Sequence, residues 1–206
     1  LYNESCLDAQ MRRQIYGDIY DDSMWLIDLV ENLLSVTRIE EGRMQIRQSA
    51  ELVDEVIREA LKHTGQSRTG RTIKVEEEDE LILAKMDARL IVQVLINLIG
   101  NAVKYTPQGT DITVQVKKEK TENSQVIISV CDLGDGIPDD RKERVFDMFY
   151  TGGDQVADSR RSLGLGLGLC RSIINAHGGK IWISDNIPHG AVVTFTLPAE
   201  EVALNE

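Results

Sequence analysis

The sequence predicts an α+β protein, a two-layer α/β sandwich in which one mixed sheet carries its helices on one face and a long N-terminal helix precedes it. Apolar residues recur in alternating steps of four and three from Met11 to about Glu41, which is typical of an amphipathic helix. Short strands and helices then follow one another without strict alternation, and this order favours a sheet covered on one face. The composition, 42% apolar and 28% charged, is that of an ordinary globular chain.

Length and charge limit the possible function classes. The 206 residues allow one domain with an appendage or two small domains. The 23 Lys and Arg residues against 34 Asp and Glu residues leave a net charge of -11, which opposes general attraction to nucleic acid or anionic lipid. We therefore expect no nucleic-acid or membrane contact, and an anionic ligand would need local cations or a metal ion.

Cysteine spacing and the lack of a long apolar run predict a cytoplasmic chain. Cys6, Cys131 and Cys170 are far apart and odd in number, which argues against a disulfide framework and against a zinc site. The longest mostly apolar run, at 90–99, is shorter than the roughly 18–20 residues of a membrane helix. Because the chain starts with Leu1 and no signal segment follows, we expect a fragment of a longer protein.

The N-terminal helix is expected to end at Gly42, so we place a domain boundary between residues 1–42 and 43–206. The apolar stripe of this helix is wider than a two-stranded seam, which favours a helix surrounded by others in a bundle. The stripe consists of Ile15, Ile19, Leu26, Leu29, Leu33 and Val36, widened by Trp25, Ile27, Val30, Leu34 and Ile39.

The rest of the chain divides into short elements at turn residues and at changes of periodicity. A helix with Ser49 as its cap follows a short strand, and another helix, capped by Asp87, runs to about Tyr105 before a Thr-Pro pair. Two further helices are predicted at 139–149 and 165–177. The predicted strands are 44–46, 72–75, 81–86, 112–116, 126–130, 181–184 and 192–197.

One face of the helix after Asp87 carries polar residues suited to a metal ion and a phosphate. Asn97, Asn101 and Lys104 fall at i, i+4 and i+7, roughly opposite an apolar stripe. Amide oxygens can coordinate a hard cation, and an ammonium group attracts phosphate. A merely solvated helix face is the alternative interpretation. The apolar stripe consists of Ile91, Leu95, Leu98 and Ala102.

Two glycine-rich segments are the other candidates. In the segment 132–136, which follows an apolar strand, the Asp132 carboxylate can accept a hydrogen bond from an amine such as that of adenine. A plain tight turn is the alternative there. The segment 164–169 opens a helix whose free N–H groups suit a phosphate, although a glycine-rich helix junction explains it equally well. Its glycine spacing is neither that of a Rossmann motif nor that of a Walker A motif.

In this order, and with Phe146 and Phe149 between the two glycine segments, the motifs resemble the catalytic ATP-binding domain of bacterial sensor histidine kinases. That domain has the Bergerat (GHKL) fold shared with gyrase, Hsp90 and MutL. The resemblance covers about residues 43–198, and the helix before it resembles the second helix of the family's dimerisation and phosphotransfer domain. The matching segments are 97–105 (N box), 132–136 (first glycine box), 146–149 (F box), 163–169 (second glycine box), 175–179 and 195–198. Within the family, segments 21–25 and 161–165 resemble the KdpD-like potassium-responsive sensors.

The resemblance implies a role for each motif residue. Asn101 would be a magnesium ligand with Asn97 near the same ion, and Lys104 would face phosphate. Tyr105 would lie against the adenine, and Asp132 would bind its amine. The other implied ATP-binding residues are Gly134 and Gly136 in the pocket turn, Gly164, Leu165 and Gly166 at the phosphate-facing end of a lid, Phe149 with Phe146 as anchors of the lid's start, and Arg160 and Arg161 as lid cations near the γ-phosphate.

The chain also departs from the family pattern. Ser162 stands where the second glycine box usually starts with Gly, and Met148 stands where many members have a basic residue. The only histidines are His63, His177 and His189, and none lies in the His-Glu/Asp-x-x-x-Pro context of the family's phosphoacceptor helix. We therefore expect all three to be structural or surface residues and the phosphoacceptor to lie outside this chain.

We expect the chain to be the ATP-binding catalytic module of a two-component sensor histidine kinase. This module would transfer the γ-phosphate of ATP to a histidine on another segment. Two alternatives stay open, an ATPase of the same fold and a non-catalytic, nucleotide-responsive interaction module. The resemblance implies ATP and Mg²⁺ as cofactors. It implies as partners the phosphoacceptor helix of the same parent protein, a response regulator, and a second copy in a full-length homodimer. The parent is expected to be a membrane-anchored sensor.

Overall fold

The structure, a computed structural model, describes residues 8–40, 46–64, 72–78, 81–119, 124–150 and 164–200. The helices are α1 (Ala9–Glu40), α2 (Val53–His63), α3 (Ala88–Tyr105), α4 (Asp139–Lys142) and α5 (Gly166–Ala176), with a 3-10 turn at Arg144–Phe146. The strands are β1 (Ser49–Leu52), β2 (Ile73–Glu77), β3 (Leu83–Met86), β4 (Ile112–Glu119), β5 (Gln125–Cys131), β6 (Ile181–Asp185) and β7 (Ala191–Glu200).

The seven strands form one mixed sheet with β7 at its centre. The strand order is β1-β3-β7-β5-β4-β2. Strands β3 and β6 share one edge of β7, where β6 pairs with residues 191–195 and β3 pairs with residues 199–200. All neighbours are antiparallel except β2 and β4, which are parallel. In the central register Val126 faces Leu197, and Ile128 faces Phe195. The long β7 strand therefore joins the two halves of the sheet.

One face of the sheet is covered by α2, α3 and α5, with α3 between the other two helices. Alternate residues of the central strands point toward these helices, as the period of two in a strand requires. Each fully buried Ile or Leu side chain contributes about 1.5–3 kcal/mol to stability. The predicted α+β sandwich is confirmed. Its core contains Ile91, Leu95, Leu98 and Ala102 of α3, Val114 and Val116 of β4, Ile128 and Val130 of β5, Ile173 of α5, and Phe195 and Leu197 of β7.

Most predicted elements are confirmed within three residues at each end. The helix predicted after the first strand is confirmed as α2, but its predicted start at Ser49 is wrong, because Ser49–Leu52 forms strand β1 on the free edge of β3 and α2 begins only at Val53. The predicted strand at 44–46 reaches a described residue only at Ile46, which lies outside any strand. Pairing with β3 satisfies backbone groups that a first helical turn would leave without partners.

Two other expectations about helices are corrected. The helix predicted at 139–149 ends at Lys142, and the chain turns through a 3-10 segment to Phe149, whose φ of 66° is incompatible with a continuing helix. Asp87 does precede α3, but its carboxylate makes no cap to that helix. Instead, Asp87 Oδ2 accepts a hydrogen bond from the backbone N–H of Arg47 at 3.2 Å, which ties the segment before β1 to the start of α3.

Helix α1 confirms the long predicted N-terminal helix, and it contacts α5. Several apolar residues of its predicted stripe, including Ile19, Leu26 and Leu34, are exposed. The predicted boundary near residue 43 lies at residues that the structure does not describe, so the division into two domains stays a prediction. Within the described ranges, no helix is long and apolar enough to cross a membrane.

His177 joins the end of α5 to the start of α3. It is only 2% exposed. The backbone N–H of Asp87 donates to His177 Nε2 at 3.0 Å, so the ring proton must lie on Nδ1, which donates to the Ile173 carbonyl at 2.7 Å. The expectation of a helix-end residue without catalytic function agrees with this arrangement, in which both ring nitrogens are engaged.

Replacing His177 with Ala should lower the free energy of unfolding by about 2–4 kcal/mol, because the buried Asp87 N–H loses its acceptor and a cavity opens. Urea denaturation followed by circular dichroism measures this loss. His63→Ala is the matched control, since His63 is exposed at the end of α2 and should change stability by at most about 0.5 kcal/mol. Equal stability of the two variants would contradict the structural role of His177.

Candidate functional site

The outer face of α3 presents polar and aromatic side chains to one side of the molecule. Asn97 and Asn101 are half-buried, whereas Lys104 is exposed and Tyr105 is 57% exposed. The Lys104 ammonium lies 5.2 Å from the centroid of the Tyr105 ring, which places a cation and an aromatic plane together at the end of the helix. At 1.5 Å per residue, the face from Asn97 to Tyr105 extends about 12 Å along the helix.

The Asp132 carboxylate stands at the end of β5, where the strand leaves the sheet. Its Oδ1 accepts hydrogen bonds from the backbone N–H groups of Gly134 at 2.8 Å and Ala191 at 3.2 Å. No described residue donates to Oδ2. A half-buried carboxylate with one oxygen engaged and the other free can accept a hydrogen bond from a ligand in one defined direction.

Gly134 brings the Asp132 loop onto the end of α3. A Cβ at Gly134 would lie 2.6 Å from the carbonyl oxygen of Tyr105 and 3.0 Å from Asp132 Oδ1. Gly136 has a φ of 75° and packs in the same way against Gly190, where a Cβ would lie 3.2 Å from the carbonyl oxygen. The absence of side chains at these positions therefore places Asp132 beside Tyr105, although 27 residues separate them.

The second glycine segment meets α3 near the middle of the helix. The position of a Cβ at Gly166 lies 3.8 Å from the side chain of Asn97. Helix α5 begins at Gly166, and no side chain of the described residues caps its first N–H groups. Such groups carry the partial positive charge of a helix N-terminus. The Leu165 side chain is buried in the core, so only its backbone can face a ligand.

Asn97 has a buried polar atom without a partner. Its amide nitrogen Nδ2 makes no hydrogen bond to any residue that the structure describes. A buried donor left in this state costs about 1–3 kcal/mol. The atoms of Asn97 that face Gly166 are Cγ and Oδ1, and the side chain also acts on the neighbouring Cys170 thiol, whose pKa it lowers against the larger effect of burial.

The two phenylalanines of the 146–149 segment have different environments. Phe146 is 2% exposed, and the Arg171 guanidinium lies 5.6 Å from the centroid of its ring. Phe149 is 62% exposed, so only Phe146 of the two rings lies in the core. The Phe149 N–H donates to the Gly164 carbonyl at 3.0 Å, which joins the end of this segment to the second glycine segment.

Some predicted site residues cannot be placed. Arg160, Arg161 and Ser162 lie outside the described residues, and their roles stay predictions. Met148 is described, and its side chain packs against Gly168 at the start of α5, where a Cβ would lie 3.2 Å from Met148 Cγ. Met148 therefore has a packing role at a position where many family members carry a basic residue.

The two described cysteines are unsuited to nucleophilic chemistry. Burial raises the pKa of the Cys170 thiol to about 12, and this thiol lies 3.9 Å from the carbonyl oxygen of Val94 in α3. Burial also raises the pKa of the Cys131 thiol, with Glu76 and Asp132 adding to the shift. Both thiols therefore stay protonated at neutral pH, and a thiol is a poor nucleophile.

The sequence analysis missed the turn between β6 and β7 as part of the site. Asn186, His189 and Gly190 of this turn all contact the Asp132 loop. The run Asn-Ile-Pro-His-Gly is a recognisable turn signal. That signal predicts a turn at 186–190 but does not identify the loop against which the turn packs.

Comparisons with known proteins agree with this geometry. Residues 86–201 match the family described as histidine kinase-, DNA gyrase B- and HSP90-like ATPase. Sensor protein KdpD of Clostridium acetobutylicum is 40% identical over 200 residues, which are 97% of this chain and 22% of KdpD. Adaptive-response sensory kinase SasA of Gloeothece citriformis is 33% identical over 192 residues, which are 92% of this chain and 48% of SasA. The chain thus spans less than half the length of these two relatives.

Solved structures of the histidine kinase ThkA are also similar. Its catalytic domain, in a nucleotide-free form, is 33% identical with a TM-score of 0.62, over 75% of this chain and 96% of that one. ThkA in complex with the response regulator protein TrrA is 27% identical with a TM-score of 0.69, over 96% of this chain and 54% of that one.

Gly134→Ala should lower the free energy of unfolding by about 1–3 kcal/mol, because the new methyl group must push the Asp132 loop away from Tyr105. Gly100→Ala is the matched control, since Gly100 lies on α3 with open space around it and should gain up to about 1 kcal/mol. Urea denaturation gives both values. Hydrogen exchange at the Ala191 amide should accelerate only in Gly134→Ala. Unchanged exchange there would contradict the proposed contact.

Proposed function

Because the chain belongs to the histidine kinase-, DNA gyrase B- and HSP90-like ATPase family, we propose that it is the ATP-binding catalytic module of a sensor histidine kinase. In this function it binds ATP with Mg²⁺ and transfers the γ-phosphate to a histidine on another segment of its parent protein. The observation that carries the proposal is the convergence of Asn97, Tyr105, Asp132 and Gly166 around the outer face of α3.

The purine end of the site lies between Asp132 and Tyr105. The free Oδ2 of Asp132 accepts a hydrogen bond from the exocyclic amine of adenine, which a guanine ring does not offer at the same position. The exposed Tyr105 ring supplies an apolar plane against which the purine can pack. Gly134, which has no side chain, lets the Asp132 loop approach the end of α3 closely.

The phosphate end lies between the Asn side chains of α3 and the start of α5. Lys104 and the uncapped N–H groups at Gly166 attract the negative charge of the phosphates. Arg160 and Arg161 stay candidates for contact with the γ-phosphate.

The residues at this end also fit a magnesium ion. The Asn101 amide oxygen is a suitable ligand for a hard cation, with phosphate oxygens and water completing the shell. No group of three acidic, His or Cys side chains in the described ranges could hold a metal ion, so a cation here would depend on the nucleotide. When bound, the ion would supply positive charge that neutralises the phosphates, and Asn101 would hold it.

The chemistry assigned to the chain's own residues is positioning. Phosphoryl transfer needs the acceptor and the γ-phosphate in line, and little covalent participation by the protein. The acceptor is placed outside this chain because none of its three histidines lies in a His-Glu/Asp-x-x-x-Pro context. His177 is buried with both ring nitrogens engaged, His189 faces the Gly134 carbonyl, and His63 lies beside Glu59 on α2.

An ATPase of the same fold is the enzymatic rival. In such relatives a Glu four residues before the metal-binding Asn activates water, and here that position holds Asn97, whose amide is not a base at neutral pH. A non-catalytic nucleotide sensor is the other rival, and a transfer assay separates it from a kinase.

The proposal extends to the parent protein. We propose that it is a membrane-anchored sensor that dimerises through α1 and a neighbouring phosphoacceptor helix and passes its phosphate to a response regulator. The exposed apolar residues of α1 support such a neighbour. The relatives support the signalling partner, since KdpD is a sensor protein and ThkA was solved with a response regulator.

Binding of a fluorescent ATP analogue, with and without magnesium, tests the site. Asp132→Ala should weaken binding about 10- to 100-fold under both conditions, because a hydrogen bond to a charged group is worth about 1.5–3 kcal/mol. Asn101→Ala should chiefly remove the gain from magnesium. Asp135→Ala, an exposed carboxylate in the same loop, is the matched control and should bind like the original chain. Equal binding by all four proteins would refute the site.

Transfer of radiolabelled γ-phosphate tests the kinase function. The chain should label a separately supplied phosphoacceptor domain of a KdpD-type sensor when ATP and Mg²⁺ are present, and Asn101→Ala should lower the initial rate at least about tenfold. Slow hydrolysis without the acceptor is expected, because no described residue is placed as a base for water. Fast ATP turnover that is independent of the acceptor would favour the ATPase, and an unlabelled acceptor with intact ATP binding would favour the sensor.

A further inference from the structure

We infer that Asn186 and His189, in the turn between β6 and β7, are positioning residues that orient the Asp132 carboxylate for recognition of the purine amine. This inference rests on the proposed function and deepens its purine end. Neither residue belongs to the motifs that resemble the family. Both act through the Asp132 loop and not by contact with the nucleotide.

Asn186 holds the start of that loop. Its side-chain Nδ2 donates to the backbone carbonyl of Asp132 at 2.8 Å. Its Oδ1 accepts from the Ile187 N–H at 2.9 Å, and its own N–H donates to the Gly190 carbonyl at 3.0 Å. With the amide engaged on both sides, the side chain has one conformation, and the donor is directed at Asp132.

His189 holds the other side of the same loop. Its Nδ1 lies 3.2 Å from the Gly134 carbonyl, so this nitrogen must carry the proton and donate. The N–H of Gly134 in turn donates to Asp132 Oδ1. The His189 contact therefore fixes the carbonyl of Gly134, and the N–H of the same residue orients the Asp132 carboxylate.

The backbone at the end of the turn completes the clamp. The Ala191 N–H donates to Asp132 Oδ1 at 3.2 Å, and the Asp132 N–H donates to the Ala191 carbonyl at 2.9 Å. Gly190, with a φ of 110°, packs so closely that a Cβ would overlap the Asp132 carbonyl oxygen. Rotation of the carboxylate would break both bonds to Oδ1. Oδ2 is thereby the oxygen left for a ligand.

This arrangement predicts an effect specific to the purine amine. If Asn186 and His189 only stabilised the turn, their loss would weaken every nucleotide equally. If they orient Asp132, their loss should weaken ATP but spare purine riboside 5′-triphosphate, which has the same ring and phosphates without the exocyclic amine. The ratio of the two dissociation constants therefore separates positioning from a structural role.

The test uses variants that keep side-chain size. Asn186→Leu and His189→Phe remove the donors, and each should raise the dissociation constant of ATP about three- to tenfold while changing that of the amine-free nucleotide less than about twofold. His189→Gln retains a donor and should restore most of the ratio. Ile187→Ala is the matched control, because Ile187 lies in the same turn and is 90% exposed. Combined with Asp132→Ala, Asn186→Leu should have no further effect on ATP.

Competition against a fluorescent nucleotide measures each constant, and thermal melts show that each variant is folded. Equal weakening of both nucleotides, or unchanged ratios in Asn186→Leu and His189→Phe, would overturn the inference while leaving the proposed function intact. An original chain that binds both nucleotides equally would overturn the purine end of the proposed function as well.

Discussion

The candidate site depends on close backbone contacts that only glycine allows. Gly134 lies against the Tyr105 carbonyl, and Gly190 lies against the Asp132 carbonyl. A side chain at either position would move the loop away from the helix or from the strand that supports it. These two contacts put a carboxylate from β5 beside an aromatic ring from α3.

The core makes α3 a rigid support for this arrangement. One side of the helix is buried against the sheet, so its other side, with Asn97 and Asn101, stays in place without help from a ligand. The two ends of α3 are held separately, at the start by His177 through the Asp87 N–H and at the end by the Gly134 contact. Stability and ligand geometry therefore come from opposite faces of one helix.

The chemistry available to the described residues is recognition and charge placement. The site contains a carboxylate with one free oxygen, two amides, an ammonium group and an uncapped helix N-terminus. Both described thiols are held protonated by burial, and the rings of His177 and His189 are held by backbone contacts. Such a set can hold a nucleotide in line with an acceptor on another segment, which is what phosphoryl transfer asks of a protein.

Local patterns in the sequence determined the faces of α3, the central strands and the three motifs, because periodicity and glycine spacing depend only on near neighbours. Tertiary structure decided the rest. The segment 49–52 became a strand because β3 offered a free edge, and Asp87 turned from its helix to Arg47. Asn186 and His189 entered the site only because the β6–β7 turn packs on a loop more than 50 residues earlier. A sequence pattern does not encode such a contact, since the partner is selected by the packing of the whole sheet.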